Sequence, residues 1–130
     1  MEDAISVVVA DDSKDYREAL ILALNGVSGL RVTGVAINGS ELIELCGTTK
    51  PDICLTDVHM PNMAGLRPLK ILRKSHQNML LVAFSSHTTR TLAAEVIAAG
   101  AHAFFAKADT VNAISRIKQD YEAFCELPHS

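Results

Sequence analysis

Short, almost unbroken apolar blocks alternate along the chain with longer stretches in which apolar residues recur every three or four positions. The block Ile5-Ser6-Val7-Val8-Val9-Ala10 is rich in β-branched residues, the composition of a strand buried on both faces. Ser13 stands where a helix cap belongs, and Tyr16, Leu20, Ala23 and Leu24 follow at helical spacing towards a stop at Asn25-Gly26. A weaker strand, suited to a sheet edge, fits residues 31–36. Asn38 then caps a short helix, with Glu41 three residues on in the capping-box position. Pro51 precedes a third strand over residues 53–57. The turn-rich Met60-Pro61 and Met63-Ala64-Gly65 lead to a helix through Leu66, Leu69 and Leu72. Pro68 is tolerated there, because N–H groups in a first helical turn lack partners anyway. Residues 80–85 predict a fourth strand, residues 89–99 a helix ending at Gly100, and residues 103–106 a fifth strand. Asp109 or Thr110 opens a last helix along Ile114, Ile117, Tyr121 and Phe124.

Five strands alternating with five helices predict an α/β fold, a doubly wound parallel sheet with helices on both faces. No internal repeat, linker or low-complexity tract interrupts the series, so residues 1–130 are expected to form one domain. Hydrophobic residues make up 48% of the chain and charged residues 21%, ordinary for a soluble globular protein. Trp is absent, which leaves the core to Val, Ile, Leu and Ala. A formal charge of −3 supplies no general attraction to nucleic acid or an anionic membrane. No apolar run approaches the roughly 20 residues that cross a bilayer, and the first strand begins too early for a signal peptide. Cys46, Cys54 and Cys125 lack metal-type spacing, and the histidines do not pair as helical metal ligands. Reduced thiols filling the core, in a cytoplasmic protein, are the expectation.

In a parallel sheet of this kind, sites form at the carboxyl ends of the strands, beside the reversal of strand order. The polar residues there stand out. The first strand ends in Asp11-Asp12, the third in Asp57, the fourth in Ser85-Ser86 and the fifth in Lys107. One Asp or Lys after a strand is ordinarily a cap or a solvated turn residue; all of them at corresponding ends is a different matter. Clustered carboxylates repel unless a cation neutralises them, and Mg²⁺ suits an oxygen-only set with open positions. Lys107 could balance an added phosphoryl charge, and the Ser85 hydroxyl could donate to one of its oxygens. A carboxylate in line with a phosphoryl donor is a competent nucleophile.

Taken in order, Val8-Val9-Ala10-Asp11-Asp12-Ser13, residues 51–57, Met60-Pro61-Asn62-Met63, Phe84-Ser85-Ser86-His87, and Ala99-Gly100-Ala101 through Lys107 resemble the CheY-like response-regulator receivers. The likeness runs from about Val7 to about Phe124, and the wording of several segments is most similar to receivers of LuxR-type helix-turn-helix regulators. It implies a strand order of 2-1-3-4-5, a phosphoacceptor at Asp57, and Mg²⁺ held by Asp11, Asp12, Asp57 and the backbone carbonyl of His59. It further implies that Ser85 and Lys107 contact the phosphoryl group, and that Phe104 occupies the switch-aromatic position. The implied donor is a sensor histidine kinase, a phosphotransfer protein or a small phosphodonor. The implied output is a partner or a second copy on the surface of the fourth helix, fifth strand and fifth helix, or on the one beside the first and last helices. A DNA-binding output domain would lie outside these residues, which bind no nucleic acid or membrane themselves. The LuxR-like wording tilts towards a receiver cut from a longer regulator.

Two positions depart from the family pattern. Ala108 stands where a proline, commonly cis, often follows the lysine, and Ala64 replaces an acid before Gly65. Phe104 reads equally as core, and His87 reads more simply as the start of the fourth helix than as a donor contact. A haloacid-dehalogenase-type phosphatase is disfavoured, because Val58 and His59 follow Asp57 where a second acid would be needed, and no Gly-rich phosphate loop is present. A phosphate-independent binding module with a receiver fold is the remaining alternative.

Overall fold

Each apolar block becomes a strand: β1 (Ile5–Ala10), β2 (Leu30–Ala36), β3 (Ile53–Asp57), β4 (Leu80–Ser85) and β5 (Ala103–Ala106). The computed structural model describes residues 4–128. All neighbouring strands pair in parallel, in the order β2-β1-β3-β4-β5. The weak second strand is thus an edge, as its composition predicts. The crossovers are α1 (Lys14–Asn25), α2 (Gly39–Thr49), α3 (Arg67–Ser75) and α4 (Arg90–Ala99), and α5 (Thr110–Cys125) closes the fold.

Strand side chains alternate between faces, so each strand feeds two cores. Val8, Cys54, Leu81 and Ala83 pack with Leu42, Cys46, Leu69, Leu72 and Val96 of α2, α3 and α4. Val7, Val9, Ile53, Leu55, Val82 and Phe84 pack on the other face with Leu20 and Leu24 of α1 and Ile114, Ile117 and Phe124 of α5. Both faces are buried, which is why the central strands read as solid apolar blocks.

The helix starts follow local chemistry. Ser13 Oγ accepts from the Tyr16 N–H, Asn38 Oδ1 from the Glu41 N–H and Thr89 Oγ1 from the Leu92 N–H. Glu41 does not close the reciprocal bond of a capping box. Its carboxylate accepts from the Ile37 N–H, one residue before the cap. Leu66 lies outside α3, at φ 56° at the end of a 3₁₀ turn over Ala64–Leu66, and Pro68 occupies the first turn of the helix. A second 3₁₀ turn, Lys107–Asp109, precedes α5, so Thr110 opens that helix and Asp109 makes no side-chain cap bond. Cys46 and Cys54 are buried, but Cys125 is exposed. Its neighbour Phe124 takes the inward direction, and one residue along a helix is a turn of about 100°.

Gly39 ties α2 to the loop that follows β3. Its N–H donates to the Pro61 carbonyl (2.8 Å), and a Cβ there would collide with the Asn62 carbonyl and approach Pro68 Cγ to 2.8 Å. Backbone cannot yield as a flexible side chain can. Gly39→Ala is therefore expected to cost about 1–3 kcal/mol, read as a lower urea midpoint with an unchanged slope.

Candidate functional site

Beyond β1 the chain turns at Asp11, which is fully buried. Its Oδ1 accepts from the Ser13 N–H (2.7 Å), and its main-chain carbonyl accepts from Arg17 Nη1 (2.9 Å). Next to it Asp12 is exposed. β3 ends on Asp57, 4% exposed, whose Oδ1 accepts from the His59 N–H at 3.0 Å. Thr56 Oγ1 donates to the Asp57 carbonyl (2.9 Å) and holds that strand end. β1 and β3 are neighbours, and the chain runs outward from them in both directions, so their ends flank the crevice where strand order reverses. One oxygen from each of Asp11, Asp12 and Asp57 lies within 4.8 Å of the others.

Lys107, the first residue past β5, reaches into this cluster. Its Nζ is 2.7 Å from Asp11 Oδ2 and 3.5 Å from Asp57 Oδ2. Asp11 Oδ2 is buried and makes no hydrogen bond among the described residues, so the ammonium is its ion-pair partner. One ammonium shared by two buried acids leaves negative charge in excess. Burial, with the charge of Asp11 adding to it, pushes the Asp57 carboxyl above the usual carboxylate range, against the lowering effect of the His59 N–H and Lys107. A hard divalent cation among these oxygens would relieve that excess, and the all-oxygen donor set fits one.

The remaining predicted residues are brought to the same edge in different states. Ser85 is fully buried, and its hydroxyl is engaged by the following loop, donating to the His87 carbonyl (2.8 Å) and accepting from the His87 N–H (3.1 Å). His87 is exposed and lies in the loop three residues before α4, so it does not begin that helix. His59 is likewise exposed, and its backbone, through the N–H, is what meets Asp57. Phe104 is half-buried, packs against the core shared with α2, α3 and α4, and lines a cleft of about 800 Å³ between α4 and α5 with Arg90 and Arg116. Ala108 lies exposed in the 3₁₀ turn, and no peptide among the described residues is cis.

One site residue was hidden in the helical periodicity of α1. Lys107 Nζ lies 4.3 Å from the ring centroid of Tyr16 and 5.7 Å from that of Phe84, and the two rings are 5.1 Å apart. The Tyr16 hydroxyl meets Thr110 Oγ1 at 2.7 Å, and Thr110 Oγ1 donates to the Lys107 carbonyl at 2.6 Å. With the threonine proton spent on that carbonyl, the phenol is the donor to Thr110. Burial above all pushes the Tyr16 phenol up to about 12, so it keeps its proton at neutral pH. Helical spacing marks Tyr16 only as an inward position; nothing local points it at a lysine 91 residues away.

A family model of the response regulator receiver domain matches residues 7–118, which include every residue of this site. The chain belongs to the response regulator receiver domain family. Among curated proteins this receiver is 29% identical over 118 residues to the response regulator UvrY of Escherichia coli, a match covering 90% of this chain and 54% of UvrY. It is 33% identical over 106 residues to the uncharacterized transcriptional regulatory protein YxjL of Bacillus subtilis, covering 82% of this chain and 49% of YxjL. The receiver thus spans about half the length of these relatives. Among solved structures, the signal receiver domain of the putative response regulator NarL from Mycobacterium tuberculosis superposes with a TM-score of 0.84 at 28% identity, covering 92% of this chain and 96% of that one. Receivers serve two-component signalling and are not enzymes in the usual sense. They bind Mg²⁺ at an acidic pocket, and Asp11, Asp12 and Asp57 form such a pocket here. Among the described residues no helix is long and apolar enough to cross a membrane.

Proposed function

We propose that this receiver accepts a phosphoryl group on Asp57 and converts it into a change of surface. The observation that carries the reading is the convergence of three acids and one ammonium from three strand ends, with Lys107 Nζ 2.7 Å from Asp11 and 3.5 Å from Asp57. Asp11, Asp12, Asp57 and the His59 carbonyl would hold Mg²⁺, which when bound supplies positive charge to offset the phosphoryl oxygens. The donor is a phosphohistidine of a sensor kinase or phosphotransfer protein, or a small phosphodonor. An Asp57 Oδ attacks phosphorus, the bond from phosphorus to the donor atom breaks, and the leaving group departs with its electron pair. With acetyl phosphate the leaving group is acetate.

Lys107 then gains a stronger anionic partner than either acid, and Ser85 can exchange its bonds to His87 for one to a phosphoryl oxygen. Pulling Ser85 inward draws on the loop before α4 and favours an inward Phe104, which biases the face of α4, β5 and α5. A partner, a second copy of this chain or a DNA-binding output domain reads that face in the cytoplasm. Hydrolysis of the acyl phosphate resets the state.

Intact mass after incubation with acetyl phosphate tests the reading. A gain of about 80 Da, present with Mg²⁺, absent with a chelator and mapped to the peptide carrying Asp57, is the expected result. A gain mapped elsewhere would move the nucleophile. No gain, together with no Mg²⁺ binding, would leave a phosphate-independent binding module as the better account.

A further inference from the structure

We propose that Tyr16 is the positioning residue for Lys107, a clamp from α1 that holds the ammonium at the phosphoacceptor while fixing the main chain it springs from. The proposal rests on Asp57 being the phosphoacceptor and adds the residue that sets how fast phosphate arrives. Lysine is a point charge on a flexible four-carbon stem, so its placement must come from neighbours. Here the ammonium has Asp11 and Asp57 on one side and the Tyr16 ring face, 4.3 Å from its centroid, on another. A ring face attracts a cation most strongly where water is excluded, and the Lys107 side chain is only 19% exposed.

The ring is itself fixed. Phe84 packs against it at 5.1 Å, and its hydroxyl donates to Thr110 Oγ1 at 2.7 Å. Thr110 passes the link on to the Lys107 carbonyl at 2.6 Å. Ring to ammonium, and hydroxyl through Thr110 to carbonyl, make a closed circuit around one residue. The residue after Lys107 is Ala108, which cannot lock this backbone as a proline ring would, and the circuit restrains the same peptide from outside. Tyr16 keeps its proton at neutral pH, so the donor to Thr110 persists.

A plain core tyrosine would lose stability on substitution and nothing specific to Lys107. The two roles separate in a double-mutant cycle. Tyr16→Leu, Tyr16→Phe and Thr110→Val are each made alone and with Lys107→Ala, and the rate of mass gain with acetyl phosphate and Mg²⁺ is measured. Tyr16→Leu is expected to slow uptake about tenfold. Tyr16→Phe, which keeps the ring, and Thr110→Val should slow it about twofold to threefold. In the Lys107→Ala background every factor should shrink to about one, leaving no slowing beyond that of Lys107→Ala itself. The ε-methylene protons of Lys107 should carry an upfield ring-current shift in the wild type and Tyr16→Phe, and lose it in Tyr16→Leu. Equal slowing with and without Lys107, or no slowing in a protein that is phosphorylated normally, would overturn the clamp and leave the phosphoacceptor standing. A wild-type protein that takes no phosphoryl group would remove both together. Should Tyr16→Leu not fold, the Tyr16→Phe and Thr110→Val cycles decide the matter alone.

Discussion

Asp57→Asn is expected to take up no phosphoryl group, and yet to melt above the wild-type protein in Mg²⁺-free buffer at pH 7. The first effect follows from the chemistry of the side chain. A carboxylate oxygen can form the acyl phosphate, whereas a neutral amide is not a nucleophile of that kind, so the mass gain should vanish entirely. The second follows from burial. Asp57 is 4% exposed beside Asp11, and its carboxyl is pushed upward mainly by burial. For an acid raised in the folded state, the fold favours the protonated form. That stability is fully present below the unfolded value of about 3.9 and is lost as pH rises through the folded one. Asn carries no charge to lose, and its Oδ1 can still accept from the His59 N–H. Each kcal/mol regained should raise the melting midpoint by roughly 3–5 °C. Thermal melts from pH 3 to pH 8 check this: the variant should gain on the wild type as pH rises, and Mg²⁺ should lift the wild type more than the variant. A variant that melts lower at pH 7 without Mg²⁺ would mean that the Lys107–Asp57 pair outweighs the burial of the charge.

Phe84→Ala should cost about 3–5 kcal/mol, a large share of the 5–15 kcal/mol that usually holds a domain of this size together. Phe84 is fully buried near the carboxyl end of β4 and packs between Tyr16, at 5.1 Å, and Phe105, at 5.5 Å. Truncation would open a cavity where three elements meet, and the parallel sheet is hydrogen-bonded on both sides of β4, which hinders collapse. Its carbonyl accepts from the Val58 N–H just past Asp57, so the loss lies close to the site. Phe84→Leu should cost less, about 1–1.5 kcal/mol. Urea denaturation measures both. A Phe84→Ala loss below about 1 kcal/mol would show that the Tyr16 and Phe105 rings close over the gap and that Phe84 is not the keystone of this face.

Much of this was legible in the chain. The solid block from Val7 to Ala10, the caps at Ser13 and Asn38, and the stop at Gly100 each act through neighbours a few residues away, and each took its predicted place. The resemblance carried the strand order, and the acids at two strand ends carried the cluster. Local wording misled where several local bonds compete. Glu41 found the Ile37 N–H in place of Asn38, and His87 entered a loop through its main chain and not the helix. The exposure of Cys125 could have been read from the helical angle to Phe124, but apolar character outvoted geometry.

What the sequence by itself determined is therefore the set of elements and the identity of the polar residues at their carboxyl ends, because period, capping and turn chemistry are short-range. What only the tertiary structure decided is which of those polar groups meet. Lys107 lies 96 residues from Asp11, and Tyr16 lies 94 from Thr110. Their contacts exist because α1 and α5 share one face of the sheet and β5 ends level with β1 and β3. Such proximity is set by the packing of whole elements, and no window of neighbouring residues contains it.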